Sequence, residues 1–341
     1  MRLMIVGSDK VYAIENFYVR YLPESGPEVA QFPAQSLFYD YYQKNIVHKL
    51  LFKAGLSRIL VSVNRQFRAR VTAFRPDIIW VFKGMEIFPA SLRWARDQQI
   101  KLVNYNPDNP FIFSGKGSGN KYVEQSLGLY DLHLTYNLEI QKRLQRECDA
   151  RTALLPFGFD LDHRLFEECA QQEEVLRLCF LGNPDEQRAA FIEGLAAAGL
   201  PVDVYGNDWG NFVRNPGIRI FPPVYQPEFW MVLRRYRIQL NLMRIHNEDS
   251  HNMRSFEIPG VGGVMLAPAT TEHRLFFKDQ EEAFLFADLD DAIRQARVLL
   301  EMDPQRIREV RHRARQRSLS GGYSYRDRAR AVAGELKSLY A

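Results

Sequence analysis

"LRLCFLGNPDEQRAAFIEGLAAAGL", residues Leu176 to Leu200, decides the fold. Its first third is mainly apolar, interrupted at Arg177, which predicts a strand buried on both faces, as in a parallel sheet. A Gly-Asn-Pro turn follows, then an alanine-rich segment whose charges gather at its start, the composition of a helix. Strand, turn and helix in that order start a doubly wound α/β unit.

The same alternation lies on both sides of this segment. Before it come "RLMIVG", "DIIWVFKG", "KLVNYN", "DLHLTYN" and "TALLPFG"; after it come "VDVYGN", "IRIFPP", "IQLNLM", "GGVMLAP" and "AFLFAD". The first series ends near Asp160, and the acidic "DLDHRLFEECAQQEEV" shows no strand character. That stretch reads as a linker between two Rossmann-like units. The last helix, "YRDRARAVAGELKSLY", follows a Gly-Gly turn that permits a sharp change of direction, so it can pack back on the first unit. Ligands of such sheets sit beyond the carboxyl ends of the strands.

A chain of 341 residues suits two domains of ordinary size. With 46% hydrophobic and 25% charged residues the composition is globular, and no window approaches the roughly 18 apolar residues that span a bilayer. The three cysteines are odd in number and lack metal-ligand spacing, which suits free thiols in a reducing cytosol. Basic residues cluster between His48 and Pro76 and again in "RIREVRHRARQR", stretches that attract phosphates. In the first, Leu56, Leu60, Val63 and Phe67 share a helical face. That pattern fits a basic amphipathic helix on a membrane surface, or a surface helix with its apolar face in the core.

Candidate chemistry falls in the turns. Gly182, Asn183 and Arg188 surround a helix start, where backbone N–H groups favour anions and an arginine can clamp a diphosphate; a capped helix with a solvated arginine is the plainer reading. Gly206 closes a strand before Asn207 and Trp209, which could flank a base. His246 and His251 bracket Glu248 and Asp249, but the spacing fits neither a zinc helix nor a calcium loop, so a loop ordering over a ligand is expected and no metal. The two Asp-Leu-Asp triplets, at Asp160 and Asp288, read as structural, the second as a helix cap. "SGKGSGN" lacks the Gly-Lys-Ser/Thr ending of a phosphate loop and reads as a glycine-rich acceptor lid. Asp108 lies past a strand's carboxyl end, in place for a catalytic base or for an Asx-turn.

At "RSFEIPGVGGVMLAP" the sequence resembles the CgeB-type, spore-coat-related branch of family 4-like glycosyltransferases, whose fold is GT-B. "VFKG", "LPFGFD", "FLGNPDEQR", "VYGNDW", "QLNLMR" and "GGYSYRDRA" are similar to that family's motifs and keep its order. The resemblance implies that Glu257 binds the ribose diol, which suits a carboxylate because it accepts two hydroxyl hydrogen bonds at once. Arg254 would face the diphosphate and offset charge on the leaving group. Gly262 and Gly263 would let the nucleotide approach closely, and Asp249, His246 and Asn252 would contact the sugar. The wider family pairs two glutamates with seven residues between them; here the earlier position holds Asp249.

The expected architecture is α/β GT-B: two Rossmann-like, doubly wound parallel-sheet domains facing a central cleft, with a C-terminal helix crossing back. Residues 1–170 with 323–341 would form the acceptor side and residues 171–322 the nucleotide-sugar side. The expected activity is hexosyl transfer from a nucleotide-diphosphate sugar to a glycan, lipid-linked or protein acceptor. Retention is what the wider family implies; if the reaction inverts, Asp108 is the base. Neither metal nor another cofactor is expected. The protein would be cytoplasmic, with peripheral contact to the anionic inner face of the membrane through residues 48–76 and no nucleic-acid partner. The rivals are a sugar-nucleotide epimerase on the same fold and a non-catalytic protein binding nucleic acid or anionic lipid.

Overall fold

The computed structural model describes residues 1–113, 118–244 and 249–340. It divides into two compact units, Met1–Pro156 with Tyr325–Ala341, and Phe157–Ser324. Each is built on a six-stranded sheet, and every strand pairing is parallel.

The first sheet contains β1 (Arg2–Val6), β2 (Glu28–Phe32), β3 (Ile78–Phe82), β4 (Lys101–Asn106), β5 (Leu132–Thr135) and β6 (Thr152–Leu154), in the order β2-β1-β3-β4-β5-β6. The central β3 reads Ile-Ile-Trp-Val-Phe and is buried at every position, as a strand covered on both faces must be. By contrast β2, "EVAQF", shows no apolar run in the sequence. It lies at the sheet edge, where Glu28 and Gln31 can reach solvent and the run need not be continuous.

The second sheet contains β7 (Val175–Leu181), β8 (Val202–Tyr205), β9 (Ile218–Phe221), β10 (Tyr236–Leu240), β11 (Met265–Pro268) and β12 (Phe284–Phe286), in the order β12-β11-β10-β7-β8-β9. Its core joins Leu178, Phe180, Ile238 and Leu266 of the sheet to Ile192 and Leu195 of the helix Glu186–Ala197 and Leu299 of the helix Leu289–Glu301.

Three sequence expectations change. The stretch taken as a linker contains the helix His163–Ala170, capped by Asp162, whose side chain accepts from the Leu165 N–H at 2.9 Å. Cys169 on this helix is buried and the helix packs on Glu228–Arg235, so the second unit starts at Phe157 rather than after residue 170. The basic stretch after His48 is two helices, Ile46–Lys53 and Ile59–Phe74; Val63 and Phe67 enter the core while Leu56, between the helices, is exposed. Three of the six arginines of the helix Pro304–Ser320 are engaged within the protein rather than presented to phosphates. Arg311 donates to Glu174 at 2.9 Å and to the Tyr236 carbonyl, Arg317 to the Phe276 carbonyl, and Arg315 to the Gly260 carbonyl.

The final helix, Tyr325–Tyr340, returns to the first unit as expected. Tyr325 stacks on Phe17 at 4.3 Å and meets Tyr18 edge-on at 6.0 Å, and Arg326 grips Glu24 through two nitrogens, each at 2.8–2.9 Å. Because Tyr325 is fully buried there, Tyr325→Ala should cost about 3 kcal/mol, the range for emptying a buried aromatic site. Thermal unfolding should show the first unit melting roughly 6 °C or more lower; an unchanged melting temperature would refute this docking.

Candidate functional site

In the second sheet the strand order reverses between β7 and β10, since successive strands leave β7 in one direction and β10 in the other. This reversal opens a crevice at the carboxyl ends, the place where such sheets bind ligands.

Leaving β7, the chain turns through Gly182, Asn183 and Pro184, and Asp185 caps the next helix by accepting from the Arg188 N–H at 2.9 Å. The Arg188 side chain, 9% exposed, reaches back across the crevice. It donates to the Asn183 carbonyl at 3.2 Å and to the Leu242 carbonyl, beyond the end of β10, at 2.9 Å. Its pKa is lowered to about 10, chiefly by burial; Asp185 opposes the shift, and the like charges of Arg244 and Arg254 add to it. The charges of Arg244 and Arg254 thus both act on Arg188 at the reversal point.

The loop after β8 closes on the loop after β7. The Asn207 N–H donates to Asn183 Oδ1 at 3.1 Å, and a Cβ on Gly206 would run into the Gly182 carbonyl, so only glycine allows this approach. Trp209 does not flank a ligand. It is fully buried, donates its indole N–H to the Gly182 carbonyl at 2.8 Å and meets Phe180 edge-on, so it supports the loop from beneath.

Above these loops lies a cavity of about 220 Å³ whose lining includes Gly182, Asn183, Gly206, Asn207, Tyr225 and Arg254. Five of these come from the sequence reading; Tyr225, in a segment that reads only as the approach to a helix, does not. Arg254 opens the short helix Arg254–Gly260, lies 4.4 Å over the Phe229 ring and donates Nη1 to Glu257 Oε2 one turn on. Arg254 and Glu257, expected to face diphosphate and ribose separately, are thus paired with each other.

A second cavity, about 410 Å³, includes Arg188, Phe191, Arg244, Asp249, Thr270 and Phe286 in its lining. Asp249 has a left-handed backbone (φ 54°) and accepts from the Thr271 N–H at 2.6 Å. His246 lies outside the described residues, as do residues 114–117 of the expected lid.

Asn252 belongs to a buried polar network under the site. Its amide donates to Asn241 Oδ1 at 2.8 Å, and its Oδ1 accepts from the Ser255 N–H. Ser255 Oγ meets His273 Nε2 at 2.8 Å, and His273 Nδ1 faces the Pro268 carbonyl. A carbonyl only accepts, so Nδ1 carries the proton and Nε2 accepts from the serine hydroxyl. Likewise the Phe157 N–H donates to His251 Nε2, and His251 Nδ1 lies 2.5 Å from Glu272. His251 is a fully buried core residue ringed edge-on by Phe157, Phe256 and Phe276.

Gly262 and Gly263 line neither cavity. The helix Arg254–Gly260 carries the chain away from the carboxyl edge, and the glycines lie before β11, at the opposite edge. A Cβ on Gly263 would meet the Leu233 carbonyl at 2.9 Å, and Gly262 (φ 72°) faces the Arg311 carbonyl, so both serve close packing.

In the first unit, the order reverses between β1 and β3. There Lys83 (φ 59°) pairs with Asp108 at 2.5 Å, and the Asp108 N–H donates to Asn106 Oδ1 at 3.0 Å. Asp108 therefore stands at the expected strand end, but in an Asx-turn and neutralised by a lysine. Two buried carboxylates beside it show no motif in the sequence. Burial raises Glu15, which accepts from the Ser8 N–H, and pushes Glu86 up to about 7.

Burial holds His273 down at about 4, against 6.5 for the free side chain. An unfolded histidine takes up a proton near pH 6.5 and the folded one only near 4. This contribution to stability is therefore complete above pH 6.5 and lost as pH falls through the interval, at about 1.4 kcal/mol per pH unit. His133, also held at about 4 by burial, adds the same trend in the first unit. Denaturant melts between pH 7 and pH 4 should show this loss, with a shallower slope in His273→Gln. An equal slope in that variant would place the titration elsewhere.

Residues 187–334 match a family model described as glycosyl transferase-like. No curated protein matches the sequence. Among solved structures, sucrose-phosphate synthase from Thermosynechococcus elongatus is 14% identical, with a TM-score of 0.67 over 100% of this chain and 99% of the other. Anabaena HepE in complex with UDP-glucose is 13% identical, with a TM-score of 0.65 over 99% and 100%. The UDP-GlcNAc 2-epimerase from Neisseria meningitidis bound to UDP-GlcNAc is 12% identical, with a TM-score of 0.55 over 99% and 100%. The fold is GT-B, and residues 187–334, most of them in the second unit, are similar to the glycosyl transferase-like family model.

Proposed function

We propose that this protein is a glycosyltransferase that moves a hexosyl group from a nucleoside-diphosphate sugar to a glycan, lipid-linked or protein acceptor. The observation that carries the reading is Arg254 in the lining of a cavity walled by Gly182, Asn183, Gly206 and Asn207, with Arg188 and Arg244 lining a second cavity. Like charges held together in a partly buried crevice are relieved by an anion, and a diphosphate supplies one.

In this reading Arg254 turns its remaining N–H groups to the diphosphate and stabilises charge on it as the sugar departs. Glu257 is 7% exposed and uses Oε2 for Arg254; among the described residues no donor reaches Oε1, which takes a ribose hydroxyl. Tyr225 and Asn207 flank the base in the place assigned to Trp209. Asp249, in the adjoining cavity, takes the sugar hydroxyls. Arg188 acts mainly as a positioning residue, because both its terminal nitrogens already hold backbone carbonyls.

The arginines supply the positive charge, so we place the chemistry as metal-independent. Retention is supported by the likeness to trehalose-6-phosphate synthase, an enzyme of glycosyltransfer with retention, 12% identical with a TM-score of 0.66. It also accords with Asp108, whose carboxylate is held by Lys83. The three free cysteines agree with a reducing, cytosolic setting. An epimerase remains the second reading, favoured by the likeness to the Neisseria enzyme.

Thermal-shift titration with UDP, GDP and ADP should raise the melting temperature with at least one of them, as expected for about 2.7 kcal/mol at a hundredfold excess over Kd. Arg254→Ala should weaken that nucleotide about tenfold to a hundredfold, the loss of a charged hydrogen bond, and Glu257→Ala should weaken it as well. No shift with any nucleotide, or an undiminished shift in both variants, would refute the reading. Turnover should persist in EDTA, and loss there would overturn metal independence. Donor incubated alone should yield no second sugar nucleotide; its appearance would establish the epimerase instead.

A further inference from the structure

The helix Ile46–Lys53 has no buried residue, although it reads Ile-Val-His-Lys-Leu-Leu-Phe-Lys. Phe52 fastens it to the helix Ala34–Gln43, meeting Phe38 at 4.8 Å and Tyr42 at 5.7 Å, and Asn45 caps it by accepting from the His48 N–H. Ile46, Val47 and Leu50, which share one helical face, are 66%, 55% and 57% exposed. Leu56, at 72%, and Val61, at 58%, add further exposed aliphatics close by in the chain. Isolated exposed aliphatics need no explanation, but a run of them on an otherwise ordered helix marks an interaction surface.

The charges around it have one sign. Between Tyr41 and Pro76 every Asp and Glu is absent, while Lys and Arg recur throughout. Among the described residues Lys44, Lys49, Lys53 and Arg58 form no ion pair, unlike Arg311 and Arg313 of the helix Pro304–Ser320. A second copy docked here through a two-fold axis would bring cations against cations. Nucleic acid would satisfy the cations but leave the aliphatic groups in water. A surface that is anionic outside and apolar beneath satisfies both.

We propose that this face docks on an anionic lipid bilayer, with Ile46, Val47, Leu50 and Leu56 entering the interface and the lysines reaching the headgroup phosphates. The helix lies in the membrane plane; it does not span. This surface is separate from the nucleotide cavity and stands whether or not the nucleotide reading holds.

Flotation of the full chain with vesicles of phosphatidylcholine alone, and of phosphatidylcholine with phosphatidylglycerol, tests it. The wild type should float with the mixed vesicles, lose binding as salt rises, and stay behind with the neutral ones. The Val47→Ser/Leu50→Ser/Leu56→Ser variant should bind mixed vesicles at least about tenfold less, since exposed aliphatics supply the insertion energy. Lys49→Gln/Lys53→Gln should weaken binding by about tenfold and flatten the salt response. All these sites are exposed, so melting temperature and nucleotide thermal shift should match the wild type and show that the variants fold. Failure of the wild type to float, equal floating with neutral vesicles, or wild-type floating by the triple variant would each overturn the proposal. So would a wild-type dimer in sedimentation that becomes monomeric in the triple variant.

Discussion

The second unit depends on one buried guanidinium. Arg188 spans the point where the strand order reverses and holds the carbonyls of Asn183 and Leu242. The two chain segments that leave neighbouring strands in opposite directions thereby keep a fixed separation. Removing a charged side chain from such a place leaves carbonyls unpaired and opens the crevice, so the group costs far more to lose than one surface hydrogen bond. Asn183 then fixes the next loop through Asn207, and Gly206 lets that loop lie against the Gly182 carbonyl. The shape of the cavity of about 220 Å³ follows from this chain of contacts.

The same arrangement creates the electrostatic demand that the proposed chemistry uses. The charges of Arg244 and Arg254 both act on Arg188, Asp185 offsets them in part, and Glu257 holds Arg254. An arginine already oriented by Phe229 and by a carboxylate one turn away needs little reorganisation to meet a developing negative charge. Beneath it the neutral histidines, serines and asparagines have found partners, so the helix that presents Arg254 and Glu257 rests on a rigid floor.

Most of the fold was legible in the sequence because parallel strands covered on both faces are largely apolar, even where a buried strand such as β10 admits Arg237 and Gln239. The exception, β2, is an edge strand, and the physics that exposes its pattern is missing there. The site was legible where chemistry and position coincide: glycine turns after β7 and β8 do line the cavity. Trp209 misled because an aromatic beside a glycine turn looks the same in sequence whether it lies over the loop or under it. Gly262 and Gly263 misled because a short helix separates them from the carboxyl edge, a displacement that only the tertiary path reveals. Arg244 and Tyr225 had no local signal, and Glu15 and Glu86 share one end of the first sheet only because β1 and β3 are neighbours in it.

The central claim is that the crevice at the β7/β10 reversal holds a nucleoside diphosphate. A crystal structure of the protein with the nucleoside diphosphate bound tests it most directly. The account predicts the diphosphate against Asn183 and Arg254, a ribose hydroxyl on Glu257 and the base beside Tyr225. A nucleotide bound elsewhere, with the Arg254–Glu257 pair and the Gly182–Gly206 cavity untouched, would contradict it.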